Sequence, residues 1–102
     1  MINYATAEER SQLIAGLHEL AEFLESSTEV PAPKNTIAFV FPPEGTDSER
    51  RAEIDAIASR IYTRAYETVP GHYVTSRFFG PVEYRAVAID RETADPDTAE
   101  GA

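Results

Sequence analysis

The pair Gly80-Pro81 constrains the fold of this chain more than any other feature, because it divides a long β-forming stretch into two strands. Glycine adopts the positive φ that a tight two-residue turn needs, and proline fixes the residue after it. The flanking segments, 72–79 and 82–89, are rich in aromatic and β-branched residues, as strands are. The sequence therefore predicts an antiparallel hairpin whose register starts at the pair Phe79 and Val82.

Two more strands are predicted before this hairpin. Residues 36–41 form a short apolar run that ends at two prolines, which is typical of a buried strand. Three large side chains share one face of this run and are its expected core residues: Ile37, Phe39 and Phe41. Residues 62–69 alternate with a period near two and predict a further strand. The segment 69–72, Val-Pro-Gly-His, then has the proline and glycine of a type II turn.

Two helices are predicted, each introduced by a capping box: Thr6 with Glu9, and Thr46 with Glu49. The first helix is expected over about 7–25 and the second is expected to reach about residue 60. Apolar residues at three- and four-residue spacing mark one face of the first helix: Leu13, Ile14, Leu17, Leu20, Ala21 and Leu24. The same pattern marks the second: Ile54, Ile57, Ala58 and Ile61. The first stripe is interpreted as core-facing, with helix-mediated dimerisation as the alternative, because its leucines also fit a heptad.

The element order α-β-α-β-β-β predicts an α+β fold in which two helices pack on one face of a mostly antiparallel four-stranded sheet. A chain of 102 residues is long enough for one domain, expected over 1–89. Residues 90–102 combine acidic residues with few apolar ones, which predicts a disordered acidic tail.

Composition limits the classes of function. The formal net charge is −9, which argues against direct nucleic-acid binding because such affinity comes from lysine and arginine contacts to phosphates. Cysteine is absent, and no signal peptide or spanning segment is recognisable, so a cytoplasmic protein without membrane attachment is expected. No cofactor or metal is predicted, since the spacing of His18 and Glu22 suits a metal but no third ligand accompanies it.

The candidate functional residues lie in the hairpin. Its predicted register leaves neither face cleanly apolar, so part of a face is expected to contact a partner. Tyrosine and arginine are enriched at interface hot spots, and the predicted binding surface comprises Tyr73, Arg77, Phe79, Tyr84 and Arg85. The alternative is ordinary cross-strand pairing, with Arg77 stacked on Tyr84 and Glu83 neutralising an arginine. His72 could serve as a general base, although a histidine after a turn is more often solvent-facing.

The segment 77–89, with Gly71-His72-Tyr73 before it and a leucine-rich helix leading to Val30-Pro31-Ala32-Pro33, resembles a group of small uncharacterised proteins from actinobacteria and their bacteriophages. The resemblance covers residues from about 9 to 89. The group has no established activity, so the resemblance implies no catalytic or binding residue. It implies a cytoplasmic accessory protein, often encoded in mobile elements.

The leading hypothesis is a non-catalytic accessory protein that acts by protein–protein contact, with another protein or a second copy in a homodimer as its partner. An enzyme is the less favoured class. One alternative is an acidic DNA mimic or anti-defence inhibitor, supported by carboxylates on both predicted helices. Another is a small enzyme that uses His72, for which a closed pocket beside this residue is expected.

Overall fold

The structure, a computed structural model, describes residues 4–91. The predicted α+β class and element order are confirmed. The elements in chain order are α1 (Ala7–Ser26), β1 (Thr36–Val40), α2 (Asp47–Arg60), β2 (Tyr66–Glu67), β3 (His72–Phe79) and β4 (Val82–Ile89). Both predicted capping boxes are present, with the threonine side chain accepting from the third helical N–H and the glutamate returning a hydrogen bond to the threonine N–H.

The four strands form one mixed sheet in the order β1-β4-β3-β2. The β2–β3 and β3–β4 pairs are antiparallel, and β1 runs parallel to β4. The hairpin has the predicted register, from Phe79 opposite Val82 to His72 opposite Ile89. Gly80 has a φ of 62°; because proline cannot take a positive φ, the turn is of type II′ rather than I′.

The two faces of the sheet differ in what they contact. Helix α2 packs on the face of β3 and β4 that carries Ala86 and Ala88, and these two residues form the buried core with Ile54 and Ile57 of the helix. Val40 of β1 packs against the same cluster. The opposite face, which we call the open face, carries the alternate residues: Ile37, Phe39, His72, Val74, Ser76, Phe78, Glu83, Arg85, Val87 and Ile89.

The described chain forms two compact units, Ala5–Lys34 and the remainder. The first unit consists of α1 and the segment that follows it. None of the residues in α1 is buried, and the large side chains of its apolar stripe, such as Leu13, Leu17 and Leu20, are more than half exposed (53–57%). The amphipathic pattern of this helix is therefore present as predicted, and nothing within its own unit covers its apolar residues.

Two features differ from the sequence-based prediction, and the first is the length of β2. The predicted strand 62–69 is reduced to Tyr66–Glu67, because α2 ends in a Schellman motif. The N–H of Thr63 donates to the Ala58 carbonyl (2.9 Å), and Tyr62 adopts a left-handed φ of 60°. The N–H groups of Tyr62 and Thr63 are bonded within this helix end, so they are not available for pairing in a strand that begins at residue 62. The predicted type II turn after β2 is confirmed: the His72 N–H donates to the Val69 carbonyl and Gly71 has a φ of 86°.

The second difference concerns β1. Ile37, Phe39 and Phe41 were expected in the core, but they are 38–52% exposed. The partners of Ile37 and Phe39 in the register lie on the open face, away from α2, and Phe41 lines the groove on that same face. The acidic tail predicted over 90–102 falls outside the described residues after Arg91. Asp90 itself is held in place, because its N–H donates to the Gly71 carbonyl (2.7 Å).

Candidate interaction surface

The open face is an aromatic surface with a groove of about 360 Å³. Val74 and Val87, each only 5% exposed, form its floor. Phe39 and Phe41 stand at one side with their rings stacked, at a centroid separation of 6.0 Å and an interplanar angle of 7°. Phe78, on β3, is 65% exposed. The groove therefore has a buried aliphatic base and accessible aromatic walls, which is the composition of a site for apolar side chains.

Three polar side chains in this groove form one hydrogen-bonded group, with Glu83 as the shared acceptor. The Glu83 carboxylate accepts from Arg85 through Nε (2.7 Å) and a terminal nitrogen (3.0 Å), and from the Ser76 hydroxyl (2.6 Å). Hydrogen bonds from Arg85 and then Ser76 lower the pKa of Glu83. This carboxylate is 6% exposed and ionised at neutral pH, and it is a weak base because its oxygens are already engaged.

Arg85 connects this polar group to the aromatic wall. Its guanidinium lies over the Phe39 ring, 5.6 Å from the centroid, and Phe39 is its direct neighbour in the β1–β4 register. Ser76 is its neighbour on the other side, on β3. An aromatic ring, a cation and a hydroxyl thus lie in one row across three strands. The predicted neutralisation of an arginine by Glu83 is correct.

The five residues predicted as a binding surface lie on both faces of the hairpin. Arg85 belongs to the open face, whereas Tyr73, Arg77, Phe79 and Tyr84 share the α2 side. Tyr73 and Tyr84 pack against the core, so much of each ring is used in holding α2. Arg77 and Phe79 lie near the Gly80 turn and are exposed. The Arg77 guanidinium lies 5.1 Å from the Phe79 ring centroid, where stacking on Tyr84 was expected.

Tyr73 illustrates how a predicted contact residue serves the fold. Its hydroxyl donates to Asp55 on α2 (2.6 Å), and the Arg51 guanidinium lies 4.8 Å from its ring centroid. The hydrogen bond to Asp55 is the main cause of its raised pKa. A second tyrosine makes a similar contact: Tyr4 donates to Glu53 (3.1 Å), and burial raises its pKa to about 12. Both phenols anchor segments to the same helix.

These contacts also use carboxylates that the DNA-mimic hypothesis requires. Glu53 and Asp55 accept from the two tyrosines, and Glu49 belongs to the capping box of α2. Along α2, the acidic side chains thus have local partners. A phosphate-like track would need such groups to face solvent in a row.

His72 lies at the margin of the groove, beside Ile89 in the register. Its backbone closes the type II turn, and its ring has no hydrogen bond to any residue within 4–91. Glu67, five residues before His72 in sequence, accepts from the Gly71 N–H (2.8 Å) and pairs with Arg51 (3.5 Å). In the same part of the chain, no three histidine or carboxylate side chains cluster as a metal site.

Sequence reasoning missed the aromatic residues of the open face as surface residues. Phe39 and Phe41 were assigned to the core, and Phe78 was not selected. The available signal was the register itself, since Phe78 is paired with Glu83, an unusual neighbour for a core ring. The parallel pairing that places β1 beside Arg85 was not predictable from local pattern.

Comparisons with known proteins add no family to this description: no protein-family model, no curated protein and no solved structure matches the chain. Across residues 4–91, the helices are too short or too polar to cross a membrane.

Proposed function

We propose that the chain is a non-catalytic protein-binding module whose contact surface is the open face together with the hairpin tip, Arg77 to Phe79. The observation that carries this proposal is the aromatic wall of the groove: Phe39, Phe41 and Phe78 are 47–65% exposed. Side chains of this size on one sheet face are typical of interaction sites. The accessory role in a phage or other mobile element, implied by the resemblance, belongs to the same proposal.

The chemistry of the surface favours one kind of partner segment, an amphipathic helix with an acidic rim. A sheet face buries its apolar side chains against a second layer, and a helix is the common choice. Arg77, at the tip on the α2 side, and Arg64, whose carbonyl accepts from Thr75 of β3, are exposed and form no ion pair within residues 4–91. Carboxylates beside the apolar residues of the partner helix would complement these two cations.

Binding is favoured over catalysis because of how the polar groups in the groove are used. Ser76 and Arg85 both donate to Glu83, so these polar groups are already used in holding the groove together. A general base needs a pKa near neutrality, whereas that of Glu83 is lowered.

The experiment compares partner binding by single variants of the full chain. Phe78→Lys places a charge on the aromatic wall, and Arg77→Glu reverses a cation at the tip. Tyr62→Lys is the matched control, because Tyr62 is 87% exposed and lies outside both the aromatic wall and the tip. Proteins captured from host lysate by the wild type are identified, produced in pure form and titrated by calorimetry.

Removing an interface anchor raises the dissociation constant by roughly 30-fold or more, so this loss is expected for Phe78→Lys. Arg77→Glu should weaken binding less and mainly at low salt. Unchanged affinity of both folded variants would refute the proposed surface, as would an equal loss for Tyr62→Lys.

A further inference from the structure

Two of the five residues of β1 direct their backbone hydrogen-bonding groups away from the sheet. The Thr36 N–H donates to the Pro81 carbonyl of the adjoining strand (3.2 Å). In a strand, the N–H and C=O of one residue point to the same side, and the side alternates along the chain. Ala38 and Val40 therefore bond to β4 as Thr36 does, whereas Ile37 and Phe39 direct their backbone groups outward. Since β1 ends the sheet order, these groups form its outer edge.

The two edges of the sheet differ in how they are protected. The opposite edge, β2, has two residues, one of them Glu67, and Pro70 follows closely. Short length, charge and proline are common means of preventing edge-to-edge pairing. β1 is longer and carries no charge: it is Thr-Ile-Ala-Phe-Val, its prolines Pro42 and Pro43 lie beyond the five paired residues, and the segment 35–43 around it contains no charged residue.

We propose that β1 pairs with β1 of a second copy, antiparallel, about a two-fold axis at Ala38. This inference concerns the strand edge and goes beyond the binding proposed for the open face. The axis at Ala38 pairs all five strand residues, and it places Ile37 of one copy opposite Phe39 of the other. Both residues direct their backbone groups outward, so each such pair exchanges two hydrogen bonds, as an antiparallel ladder requires.

The side chains and charges agree with this pairing. A β-branched residue opposite an aromatic one, as Ile37 and Phe39 would be, is a favourable cross-strand pair. In a chain with a net charge of −9, two copies meet most easily along an uncharged segment such as 35–43. Helix α2 packs mainly on β3 and β4, and in β1 the four residues before Val40 are exposed. The product is a continuous eight-stranded sheet with both open faces on one side.

A single-cysteine variant tests the axis directly, because the chain has no cysteine of its own. Residues on the axis of a non-hydrogen-bonded pair have Cα atoms about 4.5 Å apart, within the range for a disulfide. Ala38→Cys should therefore form a disulfide-linked dimer when treated with oxidised glutathione, which accepts the two electrons. Ser59→Cys, exposed on α2, is the matched control and should stay largely monomeric on a non-reducing gel.

A second pair of variants tests the edge in the absence of oxidant. Ile37→Pro removes an outward N–H while leaving the bonds to β4 intact, and Ile37→Ala removes the side chain but keeps that donor. Sedimentation over a range of concentrations should show a dimer for the wild type and for Ile37→Ala. For Ile37→Pro the dissociation constant should rise roughly tenfold or more, since two hydrogen bonds are lost per dimer.

The proposal is overturned by a wild type that sediments as a monomer throughout, or by equal cross-linking of the Ala38 and Ser59 variants. A folded Ile37→Pro protein that dimerises as tightly as the wild type also overturns it. If Ile37→Pro does not fold, the Ala38→Cys result decides the question alone. None of these readouts depends on a heterologous partner, so they are separate from the test of the open face.

Discussion

Glu83 and Arg85 are two residues apart on β4 and form a bidentate ion pair within the groove of the open face, at 2.7 and 3.0 Å. Residues at this spacing share a sheet face, so the strand itself brings them together. Ser76 provides a third donor from β3. This group joins the middle of the hairpin to the aromatic wall through the contact between Arg85 and Phe39.

Replacing Glu83 by glutamine should destabilise the protein in a pH-dependent manner. The folded-state pKa of Glu83 lies below its ordinary value of 4.5, so its contribution is full above that pH and is lost as the pH falls through the folded pKa. Urea unfolding at pH 7 should show a loss of about 1.5–3 kcal/mol, the range for hydrogen bonds to charged groups.

The difference between the wild type and Glu83→Gln should therefore shrink as the pH is lowered below about 4.5. A double-mutant cycle with Arg85→Met isolates the pair from the remaining contacts. The same difference at pH 7 and pH 3 would contradict the linkage.

Tyr62→Gly should stabilise the protein. Tyr62 holds a left-handed φ of 60° at the end of α2, a conformation that costs a non-glycine residue roughly 1–2 kcal/mol. The side chain is 87% exposed, so little packing is lost. Thermal unfolding should show a gain of about 0.5–1 kcal/mol, after the greater freedom of glycine in the unfolded chain is subtracted. Tyr62→Ala retains the unfavourable φ and should give no such gain; equal gains would point to another cause.

Thr75→Val should cost about 1–3 kcal/mol, because it removes the partner of the Arg64 carbonyl and of the Thr63 hydroxyl in a partly buried site. Thr75 is fully buried, and its hydroxyl donates to the Arg64 carbonyl (3.0 Å). Since that hydroxyl has one proton, Thr63 is the donor in the 2.5 Å contact between the two threonines. Thr75→Ser keeps the hydroxyl and should cost less in urea unfolding. A larger loss for serine would show that the methyl group, not the hydrogen bonds, dominates.

Truncations in the two helices should have very different effects. Ile54 on α2 is 0% exposed, and Ile54→Ala should cost about 2–5 kcal/mol, as core truncations do. Leu17 on α1 is 54% exposed, and Leu17→Ala should cost less than about 1 kcal/mol. Both are measured by urea unfolding of the full chain at one low concentration. A loss at Leu17 comparable to that at Ile54 would show that the α1 stripe is buried against another part of the protein.

The hairpin and both helix starts were predictable because local chemistry determines them. Gly80-Pro81 sets the turn, which sets the register, and each capping box lies within four residues. The burial of β1 was not predictable in this way, since it depends on which strand lies beside it. Phe39 has the composition of a core residue, yet its exposure follows from the place of β1 at the sheet edge.

The candidate surface likewise contains some contacts that the local sequence predicts and others that depend on the tertiary fold. Arg85 and Glu83 could be paired from their spacing alone, and the register separates Arg85 from Tyr73. The role of Tyr73 depends on where Asp55 of α2 lies, 18 residues away in sequence, which no local pattern gives. The strand was predicted to begin at Tyr62 because glycine, not tyrosine, is the usual residue at that position of a helix end.

The contacts at the end of β4 fix the point from which the chain continues beyond Arg91. Arg50 donates to the Ile89 carbonyl (2.9 Å), Arg51 pairs with Asp90 (2.8 Å), and the Asp90 N–H bonds to Gly71. The chain is thus fixed to α2 before it continues past Arg91, at the end of the hairpin opposite Gly80. A tether, label or fused domain joined after Arg91 departs there, about 25 Å from the tip at 3.3 Å per strand residue. Protein immobilised through that end presents its aromatic tip to solution.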